Sequence, residues 1–143
     1  MTNHLRFSFM ALAAAAVVAY SAPARANQSD ELTYLTFSAP VELPGVALPA
    51  GTYIFKHVDD DAGGRVVQVL SRDGQRSYGM FLTVAEDRPV TSDTPTVVLK
   101  STGKGSPEAV EAWFYPGRSI GDEFQYPKAQ ADRIAQASHH QAK

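Results

Sequence analysis

The stretch Leu35-Thr36-Phe37-Ser38-Ala39-Pro40-Val41-Glu42-Leu43 decides how the rest of the chain is read. Leu35, Phe37, Ala39, Val41 and Leu43 fall on one side, and Thr36, Ser38, Pro40 and Glu42 on the other. A period of two belongs to an extended strand with one face buried. Pro40 has no N–H to give to a neighbouring strand, so the strand lies at a sheet edge or breaks there. Nothing nearby carries the 3.6-residue period of a helix.

Working downstream, the chain is punctuated by turn chemistry at short intervals. Leu43-Pro44-Gly45-Val46 suits a type II turn and Leu48-Pro49-Ala50-Gly51 a type I turn. Thr52 to Val58 reads as a strand, with Tyr53, Phe55 and His57 on one face and Ile54 and Val58 on the other. Asp59 to Gly64 reads as a loop. Arg65 to Ser71 and Gln75 to Val84 form a hairpin about Arg72-Asp73-Gly74, and Tyr78, Met80, Leu82 and Val84 share a face of its second arm. Glu86 to Pro95 is a polar loop. Strands are expected at Thr96 to Ser101 and Glu108 to Tyr115, with a short last one around Phe124 and Tyr126. Lys128 to Ala137 suits a short helix with Pro127 at its first position and Ala131, Ile134 and Ala135 as its apolar stripe. Ser138 to Lys143 reads as disordered. Six or seven short strands without long helical patterns predict an all-β fold, a single β-sandwich or small barrel with a possible short C-terminal helix.

Upstream, Arg6 precedes an apolar run from Phe7 to Tyr20, and Ala24-Arg25-Ala26 supplies a small-x-small cleavage pattern. This is the layout of a secretory signal peptide. The run of about 14 residues is shorter than the roughly 20 needed to span a membrane. The expected organisation is a signal peptide over 1–26, a disordered N-terminus over 27–31, a β domain over 32–127, and a short helix with a disordered tail over 128–143. The location that follows is periplasmic or secreted, with no membrane span after signal removal. The compartment permits disulfides, yet the chain has no cysteine. Without Arg6 and Arg25, 11 basic residues face 15 acidic ones with the signs interspersed, a net of −4. A nucleic-acid binder would carry a basic stripe, so that class is set aside.

Four segments line up with these elements: Thr36-Phe37-Ser38-Ala39-Pro40-Val41, Leu48-Pro49-Ala50-Gly51-Thr52-Tyr53, Ala112-Trp113-Phe114-Tyr115-Pro116-Gly117 and Glu123-Phe124-Gln125-Tyr126-Pro127-Lys128. Together they resemble a family of small, secreted, uncharacterised bacterial proteins, over about Leu32 to Lys128. The resemblance implies a secreted bacterial β domain and assigns no activity, cofactor or catalytic residue.

Several groups are candidates for chemistry. Gly117-Arg118-Ser119-Ile120-Gly121 fits G-x-S-x-G, but a nucleophile elbow needs a strand that turns into a helix, and Asp122 to Pro127 starts a helix poorly. Asp132 and His139 follow the serine, the latter in the tail. Asp59-Asp60-Asp61 lacks the spacing of a calcium loop. His139-His140, a weak transition-metal chelator at most, sits in the C-terminal tail, and the Asn27-Gln28-Ser29 glycosylation acceptor at the terminus that cleavage would create. His57 reads as a buried, hydrogen-bonded histidine; any other role requires carboxylate or histidine partners. The best candidate binding site is an aromatic platform of Trp113, Tyr115, Phe124 and Tyr126, if alternation sends Val110, Ala112 and Phe114 into the core and Trp113 and Tyr115 to the surface. The competing arrangement points Trp113 and Tyr115 inward. No catalytic residue, cofactor or metal is assigned. The expected function is a non-catalytic binding or structural module of the periplasm or cell exterior, its partner an envelope protein or glycan. The alternatives are a small secreted hydrolase using Ser119 or a nearby carboxylate such as Asp122 or Glu123, and a subunit that completes another protein's sheet through the Pro40-containing edge strand.

Overall fold

The computed structural model describes residues 31–59 and 65–141. The expectations for 1–26, 27–30, Asp60 to Gly64 and 142–143 lie outside the described residues. The chain forms one nine-stranded sheet and one helix, so the fold is all-β with a short C-terminal helix. The strands are β1 (Leu32–Phe37), β2 (Val41–Leu43), β3 (Val46–Leu48), β4 (Gly51–Asp59), β5 (Arg65–Ser71), β6 (Ser77–Asp87), β7 (Thr96–Lys100), β8 (Glu108–Phe114) and β9 (Ile120–Phe124); the helix is α1 (Lys128–Gln141). Their order is β1-β4-β5-β6-β9-β8-β2-β3, with β7 paired to β8. No helix among the described residues is long and apolar enough to cross a membrane.

The count exceeds six or seven because the opening stretch splits into β1 and β2, and Val46–Leu48 between the two turns adds β3. Ser38 to Pro40 are exposed and leave the ladder, and the chain then forms the small β2–β3 hairpin. Ala39, expected on the buried side, is exposed, and Val41, Glu42 and Leu43 are all buried, so the simple alternation ends before Ala39. At the hairpin tip Gly45 takes φ +72°, the left-handed conformation that the third position of a type II turn requires. β2 then pairs with β8 in parallel, the one parallel contact among the described strands.

The sheet curls on itself. β4 and β9 are three steps apart along it, about 14 Å if the sheet were flat. Yet the rings of Phe55 on β4 and Phe124 on β9 lie 6.1 Å apart. The enclosed core holds Leu35, Phe37, Val41, Leu43, Leu48, Tyr53, Phe55, Val67, Val69, Phe81, Val110, Trp113 and Phe124.

Two register shifts redirect side chains. In β6 a shift opposite Val69 and Leu70 sends Tyr78 inward onto Tyr53, their rings 5.3 Å apart and edge-on. Met80, Leu82 and Val84 do share a face, but it is the exposed one; Phe81 and Thr83 fill the core side. In β8, Leu99 pairs with Val110 and Val98 with Ala112, which leaves Glu111 as the extra residue of a bulge. Val110 and Trp113, three apart, therefore both face the core.

α1 extends through 138–141, a stretch read above as disordered. Pro127 stands one position before the helix, and its carbonyl accepts the bond from Ala131 N–H (2.9 Å). Three contacts fasten the helix. Arg133 Nη2 donates to both carboxylate oxygens of Glu42 (2.9 and 3.0 Å). Gln130 Nε2 donates to Leu43 O, and its Oε1 accepts from Gly45 N–H. Ser138 Oγ donates to Ser101 O (3.4 Å), and Ile134 is buried beneath.

Candidate functional site

The most concentrated polar chemistry lies inside the curl, at the end where β1 begins. Alternation along β4 carries Tyr53, Phe55 and His57 inward, as expected for that strand. What could not be read locally is what His57 meets. Its Nε2 lies 2.5 Å from Asp122 Oδ2, and its Nδ1 3.2 Å from Glu31 Oε2. Asp122 is 65 residues away on β9. Glu31 reaches the site because the backbone N–H of His57 donates to its carbonyl (3.0 Å). Glu31, placed in the frayed N-terminus by the sequence, is thus held on the sheet.

Asp122 is almost fully buried and fully used. Its Oδ1 accepts from Arg65 Nε (2.9 Å) and Thr83 Oγ1 (2.8 Å). Burial pushes its carboxyl up, but the hydrogen bonds from His57, Arg65 and Thr83 and the His57 charge outweigh burial and hold it below the ordinary carboxylate range. Arg118, in the loop between β8 and β9, donates to Glu31 Oε1. Trp113 closes the inner wall, its ring 4.7 Å from that of His57. Among the described residues, buried Trp113 Nε1 meets no hydrogen-bond partner.

This arrangement ties strands together through His57, Asp122 and Glu31. A neutral imidazole has one donor and one acceptor, whereas His57 faces an acceptor at each nitrogen. Carboxylate oxygens thus stand against both ring nitrogens. No group of three His, Cys, Asp or Glu among the described residues is set to hold a metal ion.

The aromatic platform is not present. Trp113 and Phe124 are 0% and 3% exposed and belong to the core. Tyr115 and Tyr126 are half-buried and packed against it, and Tyr126 Oη lies 2.8 Å from Val110 O and 3.0 Å from Glu42 O. The bulge at Glu111 is the physical reason, because it shifts Trp113 to the side that simple alternation gave to its neighbours. Ser119 is exposed in the loop after β8, where Gly117 takes φ +76°, and the chain runs on into a strand rather than a helix. No hydrogen bond among the described residues reaches its hydroxyl; its carbonyl accepts from Arg88 N–H (2.9 Å). Asp132 on α1 pairs with Lys128, and His139 is an exposed residue of the helix.

A second polar region lies on the outer face. Under α1 a cleft of about 230 Å³ is lined by Lys100, Ala109, Glu111, Glu123, Tyr126 and Ile134. Glu86 on β6 stands near it. Burial, then Glu123 and Glu111, push its carboxyl above the ordinary range, and its buried Oε2 has no partner among the described residues. Lys100 reaches Glu111 at 3.4 Å.

No family model, curated protein or solved structure matches this chain.

Proposed function

We propose that this chain is an exported β domain that acts by binding or by structure in the periplasm or cell exterior, and that it catalyses no reaction. The export half of this reading is supported by Arg6, the apolar run to Tyr20 and Ala24-Arg25-Ala26. The resemblance of its four segments to small secreted bacterial proteins points the same way.

The observation that carries the non-catalytic half is the saturation of His57. A histidine in an acid–base or nucleophile-activating role keeps one nitrogen for the reacting group while an acid orients the other. Here carboxylates hold both nitrogens. Among the described residues, no base stands at the hydroxyl of Ser119, the one serine in a nucleophile-like motif. The charges are spent on joining β1, β4, β5, β6, β9 and the loop at Arg118.

Two measurements test the reading. N-terminal sequencing of protein recovered outside the cytoplasm is expected to begin at Asn27, and a chain retaining Met1 to Ala26 would refute export. Turnover of ester, peptide and glycoside substrates is expected to be unchanged between the wild type, Ser119→Ala and His57→Gln. Hydrolysis lost in Ser119→Ala alone would establish the enzyme reading instead.

A further inference from the structure

The edges of this sheet are guarded unequally. β3, at one end, has three residues between Pro44 and Pro49. β7, off the main path, follows Pro95, pairs with β8 through a register shift and ends in Lys100. Short length, proline, lysine and bulges are the usual devices that keep an edge from pairing with another chain. β1, at the other end, has none of them. Leu32-Thr33-Tyr34-Leu35-Thr36-Phe37 is six residues long, uncharged, regular in register and rich in strand-forming types.

Among the described residues, the hydrogen-bonding groups of β1 that no strand uses follow from its register. The bond from His57 N–H to Glu31 O marks 31 and 57 as a hydrogen-bonded pair. Such pairs alternate along an antiparallel ladder, so Thr33, Leu35 and Phe37 also bond to β4. The N–H and C=O groups of Leu32, Tyr34 and Thr36 therefore point to the open edge. All three side chains are exposed on the sheet's outer face.

We infer that β1 is a self-pairing edge whose partner is a second copy of this chain. The set of free groups is its own complement. An antiparallel pair is two-fold symmetric, and an axis through Tyr34 sets Tyr34 opposite Tyr34 and Leu32 opposite Thr36 of the other copy. Both pairings keep side chains on matching faces. Each of the three free residues then gives and receives one bond, for six in all. No like charges meet, because β1 has no charged residue. The joined sheets also make the outer row Tyr34–Ile54–Leu70 continuous across the axis and set the row Leu32–Lys56–Gln68–Met80 of one copy in line with Thr36–Thr52 of the other. The inference stands on backbone geometry and is independent of where the protein resides.

Sedimentation equilibrium of the purified protein is expected to show reversible dimers of twice the chain mass. A single strand pair is a small contact, so association is weak, roughly in the micromolar range or above. Tyr34→Pro removes an N–H that β4 does not use and is expected to abolish dimers. Tyr34→Lys places two like charges on the axis and keeps the whole backbone, so it serves where the proline variant fails to fold. The register is tested by cysteine, which the chain lacks. Tyr34→Cys puts two thiols on Cα atoms about 5.5 Å apart, within disulfide reach. Thr36→Cys puts them more than about 13 Å apart. Oxidation is expected to yield covalent dimers from Tyr34→Cys and not from Thr36→Cys. A protein that stays monomeric to about 0.5 mM, or equal crosslinking of both variants, would overturn the inference. So would dimers unaffected by Tyr34→Lys.

Discussion

Two acids adjacent in sequence lie on opposite faces of one sheet. Asp122 points into the curl and Glu123 points out. Around Asp122, every carboxylate oxygen has a cationic or hydroxyl donor, and the acid is held in its charged form. Around Glu123, the acids Glu86 and Glu111 repel, and Lys100 alone reaches Glu111 from outside. The difference follows from solvent. A buried carboxylate without donors costs too much to keep, whereas half-exposed acids borrow water and tolerate imperfect company.

The largest test of that contrast is to remove each acid in turn. Asp122→Ala leaves Arg65 and His57 without their shared counter-charge at a buried site, and is expected to destabilise by about 3–5 kcal/mol. Glu123→Ala is expected to change stability by no more than about 0.5 kcal/mol. Urea unfolding of the two variants decides it; equal losses would mean the inner network is not what holds β4, β5, β6 and β9 together.

Gly121 stands before this pair and sharpens the contrast from the packing side. A Cβ there would lie 2.5 Å from the Phe114 ring and 2.7 Å from Trp113 O. Phe114 is held between that backbone and Arg88, whose guanidinium carbon lies 4.4 Å from the ring centre. Gly121→Ala is expected to cost about 1–3 kcal/mol as overpacking, read by the same unfolding experiment. A neutral substitution would show that Phe114 moves aside freely.

How much of this was legible in the sequence depends on the range of each cause. The strand at His57, the turn at Gly45 and the hairpin at Gly74 rest on local patterns, and these carry through. The helix start was nearly right for the same reason. The bulges at Glu111 and Tyr78 are invisible locally, since one extra residue breaks alternation only relative to a partner strand. That is why Trp113 looked available as a surface platform and is core; Phe124, on the regular β9, shares the inward face with Asp122. His57 was placed on the correct face, but its acids come from 26 residues before it and 65 after it, and only the curl joins them. A polar residue alternating into an aromatic face was the available signal that partners existed.

The next test turns on pH. Asp122 titrates below its ordinary range in the folded state, so its contribution is present above about pH 4 and is lost as pH falls through the lowered value. Melting temperature is expected to drop by at least a few °C between pH 5 and pH 3. In Asp122→Asn, itself less stable, that acid limb is expected to be shallower. An unchanged limb would assign the acid loss to other carboxylates.

Glu86 should show the opposite sign, and this is the smallest effect. Its folded-state carboxyl is raised by burial and by Glu123 and Glu111, so the folded protein holds that proton more tightly than the unfolded chain does. Protonation therefore stabilises, and the benefit fades as pH rises through the raised value. Glu86→Gln keeps the shape, removes the repulsion, and offers an amide in place of a carboxylate oxygen that has no donor. It is expected to raise stability at pH 7 by about 0.5 kcal/mol or less, and to leave stability at pH 4 nearly unchanged. Thermal melts of wild type and variant at the two pH values give the difference directly. A variant less stable at pH 7 would show that Glu86 has a favourable partner there, and the outer acids would then be balanced as the inner ones are.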